Sequence, residues 1–181
     1  MSSALRVGLA GLGNVGAGVA KVLRGDTRQL AWRAGRGIEI TAISARDPKP
    51  DRGVDLSGVR FEADPRALVE SDDVDVVVEV MGGHEGAARG LVEAALKAKK
   101  HVVTANKALL AYHGAGLAML AERNGVSLKF EAAICGGIPI VKALRESLIA
   151  YEISAVRGIL NGTCNFILTK MEATGQPFAD V

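Results

Sequence analysis

Residues 5–22 read LRVGLAGLGNVGAGVAKV, an apolar run that breaks at Gly11 and resumes with helical spacing. That pattern describes a strand, a tight turn and a helix. Inside the turn, Gly11-Leu12-Gly13-Asn14-Val15-Gly16 has the G-x-G-x-x-G spacing of a dinucleotide-binding loop. The three glycines serve different ends. Gly11 permits the sharp turn, Gly13 lets a pyrophosphate approach the backbone, and Gly16 lets the helix lie close to the strand. The N-terminus of the helix then offers N–H groups and the positive end of its dipole to phosphates. Glycine is common in this chain, 22 of 181 residues, so the bland reading is an ordinary glycine-rich turn. A strand just before and a helix just after give the spacing its weight.

Working outward, the helix is expected to run past Arg24 toward Trp32, and the alternating stretch GIEITAIS (37–44) suits a second strand. DPKPDRGVDLSG (47–58) has the composition of a surface loop, and Asp64-Pro65 marks a helix start with Pro at its first position. DVVVEV (75–80) is apolar enough for a parallel strand buried on both faces. Residues 86–99 place Leu91, Ala94, Ala95 and Ala98 on one helical stripe, with Lys97, Lys99 and Lys100 at the end where cations suit the dipole. HVVT (101–104) is a short strand, residues 106–124 a long helix stopped by Gly125, and SLKFE (127–131) a further strand. This βα alternation predicts an α/β fold with a doubly wound parallel sheet of Rossmann type over residues 1–133.

Past Glu131 the texture changes. AAICGGIP (132–139) reads as a small-residue turn, followed by a helix over 140–150, a strand over 152–160, a turn at Asn161-Gly162-Thr163 and a helix over 164–173. So few elements cannot enclose a core of their own, since domains ordinarily need ~50 residues or more. Residues 134–181 therefore read as the first elements of a second, incomplete α+β domain, and the chain as a fragment or as one completed by something else.

Composition narrows the function. With 49% apolar residues a core is easily built; with 4% aromatic residues and a net charge of +2, neither base stacking nor bulk electrostatics points to nucleic acid. No apolar run nears the ~20 residues of a membrane span and no leader precedes the first strand, so a cytoplasmic protein is expected. Cys135 and Cys164 default to reduced thiols, and His84, His101 and His113 lack metal-ligand spacing with them. Apolar surface left by an incomplete domain favours a homo-oligomer.

Four positions carry candidate chemistry. After the second strand come Ser44-Ala45-Arg46, with Asp47 and Lys49 beyond; an Arg there suits the 2′-phosphate of NADP, whereas an acid would suit the ribose of NAD. NADP is favoured, with NAD the alternative. Lys107 opens a helix at the carboxyl edge of the sheet, where it either neutralises cofactor or substrate anions, assists proton transfer, or simply points into water. Glu131, beside small residues that leave backbone carbonyls accessible, either helps to hold a hard cation or pairs with a neighbouring helix. Cys135, flanked by Gly136 and Gly137 ahead of a helix, is either an activated thiolate of an aldehyde dehydrogenase or a small buried hydrophobe.

Taken together, VGLAGLGNVGAGV (7–19), VVVEVMGG (76–83), HVVTANKALLA (101–111), FEAAICGGIPIVKALRESL (130–148) and GILNGTCNFILTKM (158–171) resemble homoserine dehydrogenase, in order and over nearly the whole chain. The resemblance implies NAD(P)-dependent interconversion of L-aspartate 4-semialdehyde and L-homoserine in threonine, methionine and isoleucine biosynthesis. It assigns Gly11, Gly13, Asn14, Val15 and Gly16 to the pyrophosphate loop, Lys107 to the neighbourhood of nicotinamide and substrate, and Gly162 with Thr163 to a turn close to the cofactor. It also implies a monovalent cation such as Na+ held by Glu131 with the carbonyls of Ile134, Gly136 and Ile138. The family's main proton donor, its partner aspartate and a substrate-binding glutamate have no counterpart in these 181 residues. The polypeptide as given is accordingly expected to bind NADP weakly or not at all and not to turn over homoserine. A non-catalytic nucleotide-binding or regulatory module is the other class consistent with the glycine loop.

Overall fold

The strand Leu5–Ala10 (β1) lies inside a six-stranded sheet because its residues from Val7 to Ala10 have no water on either face. The computed structural model describes residues 3–47, 53–158 and 161–181. The other strands are Ile38–Ser44 (β2), Arg60–Glu62 (β3), Val76–Glu79 (β4), His101–Thr104 (β5) and Leu128–Lys129 (β6). All pairings are parallel, and the order β3-β2-β1-β4-β5-β6 reverses direction at β1. That reversal opens a crevice at the carboxyl ends of β1 and its neighbours, the place where open α/β sheets take ligands.

Helices cover both faces. Asn14–Arg24 (α1) packs Val19, Ala20 and Leu23 against Leu9, Ile40 and Ile43. A separate short helix, Thr27–Ala34 (α2), follows it. On the opposite face Ala67–Glu70 (α3), Ala87–Lys97 (α4) and Lys107–Asn124 (α5) press Leu68, Leu91, Ala95, Leu109 and Leu117 onto Ala42, Val77 and Val102. Adjacent residues of one strand thus serve opposite layers, Leu9 in one and Ala10 in the other.

Several sequence expectations need correction. The first helix does not continue to Trp32: it ends at Gly25, and α2 begins where the Asp26 carboxylate accepts the Gln29 N–H at 2.9 Å. The Asp-x-x-Gln spacing of a capping box is the signal for that break. Strand β3 has no counterpart among the expected elements; it is short and sits at the sheet edge, held by Arg60, whose guanidinium donates to Glu62 and Asp73 at 2.7 Å. Of the loop over 47–58, residues 48–52 lie outside the described residues, and Lys49 with them.

The chain divides into two compact units, Met1–Gly137 and Ile138–Val181. Within the first, the stretch expected to be a turn begins as a short helix, Glu131–Cys135 (α6). Within the second, Ile140–Lys142 (α7) starts as an α-helix and widens into a π-helical segment over Ala143–Ser147, stopping short of Ala150. No strand forms over residues 152–158, and Ile159 and Leu160 lie outside the described residues. Residues 152–158 are exposed, with no neighbouring strand among the described residues to take their backbone hydrogen bonds. The last helix, Gly162–Thr174 (α8), begins two residues before expectation because the Asn161 side chain caps it, accepting the Cys164 N–H at 3.0 Å. Among the described residues no helix is long and apolar enough to cross a membrane.

At the amino edge of the sheet Asp75 binds Arg6 three times, through the backbone N–H at 2.9 Å, Nε at 3.1 Å and Nη2 at 2.6 Å. The Arg6 hydrogen bond lowers the Asp75 carboxyl from its usual 3.8 to about 2. Because the folded value lies below the unfolded one, this stabilisation is present above about pH 4 and disappears as pH falls toward about 2. With both side chains about a third exposed, solvent screening holds it to roughly 1 kcal/mol. Asp75→Asn should therefore lower the free energy of urea unfolding by that amount at neutral pH, and the gap from the unsubstituted chain should close near the folded-state pKa.

Candidate functional site

The turn between β1 and α1 is shaped by glycines in three different ways. Gly11 has φ of +104° and donates its N–H to the Ser44 carbonyl at 2.8 Å, tying the turn to the end of β2. Gly16 is buried, and a Cβ there would lie 2.0 Å from the Gly11 carbonyl oxygen. Gly13, the N-cap of α1, has nothing within 4 Å of where its Cβ would stand. Two glycines therefore close the turn and the third leaves space in front of it. No side chain caps α1 and no acid stands in its first turn, so the N–H groups of that turn remain available to an anion.

In front of the turn is a cleft of about 440 Å³, lined by Gly11, Leu12 and Gly13, by Ser44 to Asp47 after β2, and by Val80, Met81, Gly82 and Glu85 after β4. Ala63, Pro65, Ala87 and Ala88 contribute its apolar surface. Arg46 belongs to this lining and is exposed. A second hollow, between α4 and α5, is lined by Arg89, Tyr112 and Arg123 and shares no residue with the cleft.

Beneath the cleft floor lies a group that the sequence motifs do not single out. Glu79, the last residue of β4, is wholly buried. Its Oε2 accepts from the Thr104 hydroxyl at 2.7 Å, and its Oε1 from the N–H groups of Met81 at 2.8 Å and Gly82 at 3.3 Å. Thr104 Oγ1 in turn accepts from the Asn106 N–H at 3.0 Å. Asn106 caps α5 through the Leu109 N–H at 3.1 Å, and its Nδ2 donates to the Gly83 carbonyl. The ends of β4 and β5 are thereby fastened to each other, and Lys107 opens α5 immediately after the cap. A lone acid within an apolar strand is the signal that could have found it: such a residue is buried only when its acceptors are filled.

Residues 11–131 fit the family model described as homoserine dehydrogenase, NAD binding domain, and residues 139–181 that described as homoserine dehydrogenase. The chain belongs to the homoserine dehydrogenase family. It is 48% identical to the homoserine dehydrogenase of Neisseria gonorrhoeae over 98% of its own length and 40% of the relative's. The crystal structure of a homoserine dehydrogenase from Thiobacillus denitrificans superimposes with a TM-score of 0.89 at 43% identity, covering 98% of this chain and 41% of that one. A hyperthermophilic archaeal homoserine dehydrogenase in complex with NADPH gives 0.80 at 26% identity, over 97% and 58%. The chain thus spans about 40% of the length of the curated relatives it matches.

Within this homoserine dehydrogenase family member the expected site residues fall into separate groups. Gly11, Gly13 and Arg46 line one cleft; Asn14 and Val15, both exposed, open α1 beside it. Lys107 is exposed on the same carboxyl edge, one strand beyond β4, but does not line the cleft. Glu131 is the first residue of α6, with Ile134 near its end and Gly136 its C-cap, all in the first unit, whereas Ile138 belongs to the second. Gly162 and Thr163 form the first turn of α8 in the second unit, as helix and not as the expected turn. Cys135 ends α6, ahead of the start of α7 at Ile140. It therefore stands at the carboxyl end of a helix, and not within the small-residue turn expected over 132–139.

Two pairs of substitutions separate these roles. Thr104→Val should cost about 1–3 kcal/mol in urea unfolding, because it leaves a buried carboxylate short of a donor, while Thr104→Ser should retain most of the stability. Gly16→Ala should cost on the order of 1–3 kcal/mol through overpacking against the Gly11 carbonyl, whereas Gly13→Ala should leave the unfolding midpoint nearly unchanged.

Proposed function

We propose that this chain supplies the dinucleotide site and part of the substrate region of a homoserine dehydrogenase that interconverts L-aspartate 4-semialdehyde and L-homoserine. The observation that carries the reading is the uncapped start of α1 behind an unobstructed Gly13, facing a cleft at the sheet's switch point. The loop Gly11, Gly13, Asn14, Val15 and Gly16 binds the pyrophosphate through main-chain N–H groups. Arg46, on the cleft wall after β2, binds a 2′-phosphate and makes NADP the preferred cofactor over NAD; the archaeal relative complexed with NADPH supports the same choice. When bound, the nicotinamide donates or accepts the hydride.

Lys107 stands at the shared carboxyl edge and neutralises anionic cofactor or substrate groups as the hydride moves. Gly162 and Thr163 add contacts near the cofactor. A monovalent cation such as Na+ sits at Glu131 and the carbonyls of Ile134 and Gly136; a helix leaves its last carbonyls without internal partners, which supports that choice. Exposed Ile149, Tyr151, Phe166 and Leu168 in the second unit support assembly as a homo-oligomer. Two free thiols agree with a cytoplasmic setting.

The test is titration with NADPH and NADH, followed by nicotinamide fluorescence. NADPH should bind about tenfold more tightly than NADH, the worth of one charge-assisted contact, and Arg46→Ala should erase the difference. Equal affinities in the unsubstituted chain would reject the NADP assignment.

A further inference from the structure

Between β4 and α4 runs the loop Gly82 to Gly86, two of whose residues, Gly82 and Glu85, line the cleft. Its own sequence gives it little with which to hold a shape. Gly82, Gly83 and Gly86 have φ of +81°, +80° and +68°, and among the described residues nothing lies within 4 Å of where a Cβ would stand at any of the three. So many glycines leave a segment with a large conformational entropy to lose on ordering. Whatever fixes the loop must therefore come from outside it.

Gly83, His84 and Glu85 are each tied to α5 or its cap. Asn106 Nδ2 donates to the Gly83 carbonyl, and the His84 ring stacks on Tyr112 with centroids 4.3 Å apart and planes 23° from parallel. His113 Nε2 lies 2.7 Å from Glu85 Oε1, while Arg89 of α4 holds Oε2 at 3.1 Å. The hydrogen bond from Arg89, then that from His113, lowers the Glu85 carboxyl below its usual value, so an ionised acceptor faces both donors. Tyr112 and His113 line the hollow between α4 and α5 and not the cleft, so these ties are made outside it. We infer that Tyr112 and His113 are positioning residues: by holding His84 and Glu85 they keep the Gly82–Gly86 wall of the cleft in one shape before any ligand arrives. A wall already ordered spares a ligand the entropy of ordering it. The benefit to a dinucleotide rests on the function proposed above; the ordering of the wall does not.

The experiment is nitrogen-15 relaxation of the complete chain without ligand, reading backbone order parameters at residues 83–85, with Val7 to Ala10 of β1 as the check on folding. In the unsubstituted chain both segments should lie near the ~0.85 of a rigid backbone. Tyr112→Ala combined with His113→Ala should drop residues 83–85 below about 0.6, the flexible range, and leave β1 unchanged. Tyr112→Phe combined with His113→Gln, which keeps a ring and an N–H donor, should hold residues 83–85 at the unsubstituted value. His84→Ala combined with Glu85→Ala removes the same two ties from the loop side and should loosen it equally; this pair decides the matter if the α5 alanine pair fails to fold. Low order at residues 83–85 in the unsubstituted chain overturns the inference. So does retained order there in either alanine pair with β1 intact, or loss of order in the Phe and Gln pair. None of these outcomes depends on NADPH binding, so failure of the wall and failure of the dinucleotide site are told apart.

Discussion

The contact between Gly16 and the Gly11 carbonyl governs the geometry of the functional edge. A hypothetical Cβ at position 16 lies only 2.0 Å from that oxygen, so the first turn of α1 is pressed onto the end of β1 as closely as two backbones permit. The closeness brings the amino end of α1 to the end of β1, and the Gly11 N–H bond to Ser44 holds the end of β2 at the same level. The uncapped amides of α1, the β2 end that bears Arg46 and the loop after β4 then converge on one crevice. A bulkier residue would displace α1 and open the crevice at its centre.

Burial divides each strand into a structural part and a functional end. Leu9, Val77 and Val102 are sealed within the sheet, and no ligand reaches them. The cleft is lined by residues beyond them, at and after the strand ends. Such separation lets hydrophobic burial stabilise the sheet while polar residues at the rim meet a ligand. Glu79 and Thr104, with Ser44 and Asn106, are polar groups sunk into the core at that boundary. The hydrogen bond between Glu79 and Thr104 and the backbone donors to Glu79 satisfy its side-chain oxygens, as a buried polar group requires.

Much of the fold and of the cleft is legible from residue order because local and global signals agree. The apolar run of β4 and Gly125 ending α5 each have one physical reading, and the strand, turn and helix expected around the glycine spacing form as β1 and α1. The departures share a different cause. Asp26 interrupts the first helix through a side-chain cap, which apolar periodicity does not report. Strand β3 depends on pairing with β2 and on Arg60 reaching Asp73, a partner outside its own strand. Glu79 reads as an interruption of an apolar strand because its side-chain partner, Thr104, lies on another strand far along the chain. The alternating run over 152–158 has strand composition but no neighbouring strand among the described residues, and composition cannot supply one.

The buried tie from Glu79 through Thr104 to Asn106 has a mechanical consequence. Asn106 grips the Gly83 carbonyl and caps α5 at once, so the loop after β4 and the start of α5 shift together or not at all. The lysine that follows is thus mounted on a stiff bracket, and its backbone cannot drift toward or away from whatever fills the crevice. Only rotation about the four-carbon stem of Lys107 is left to set how far its charge reaches.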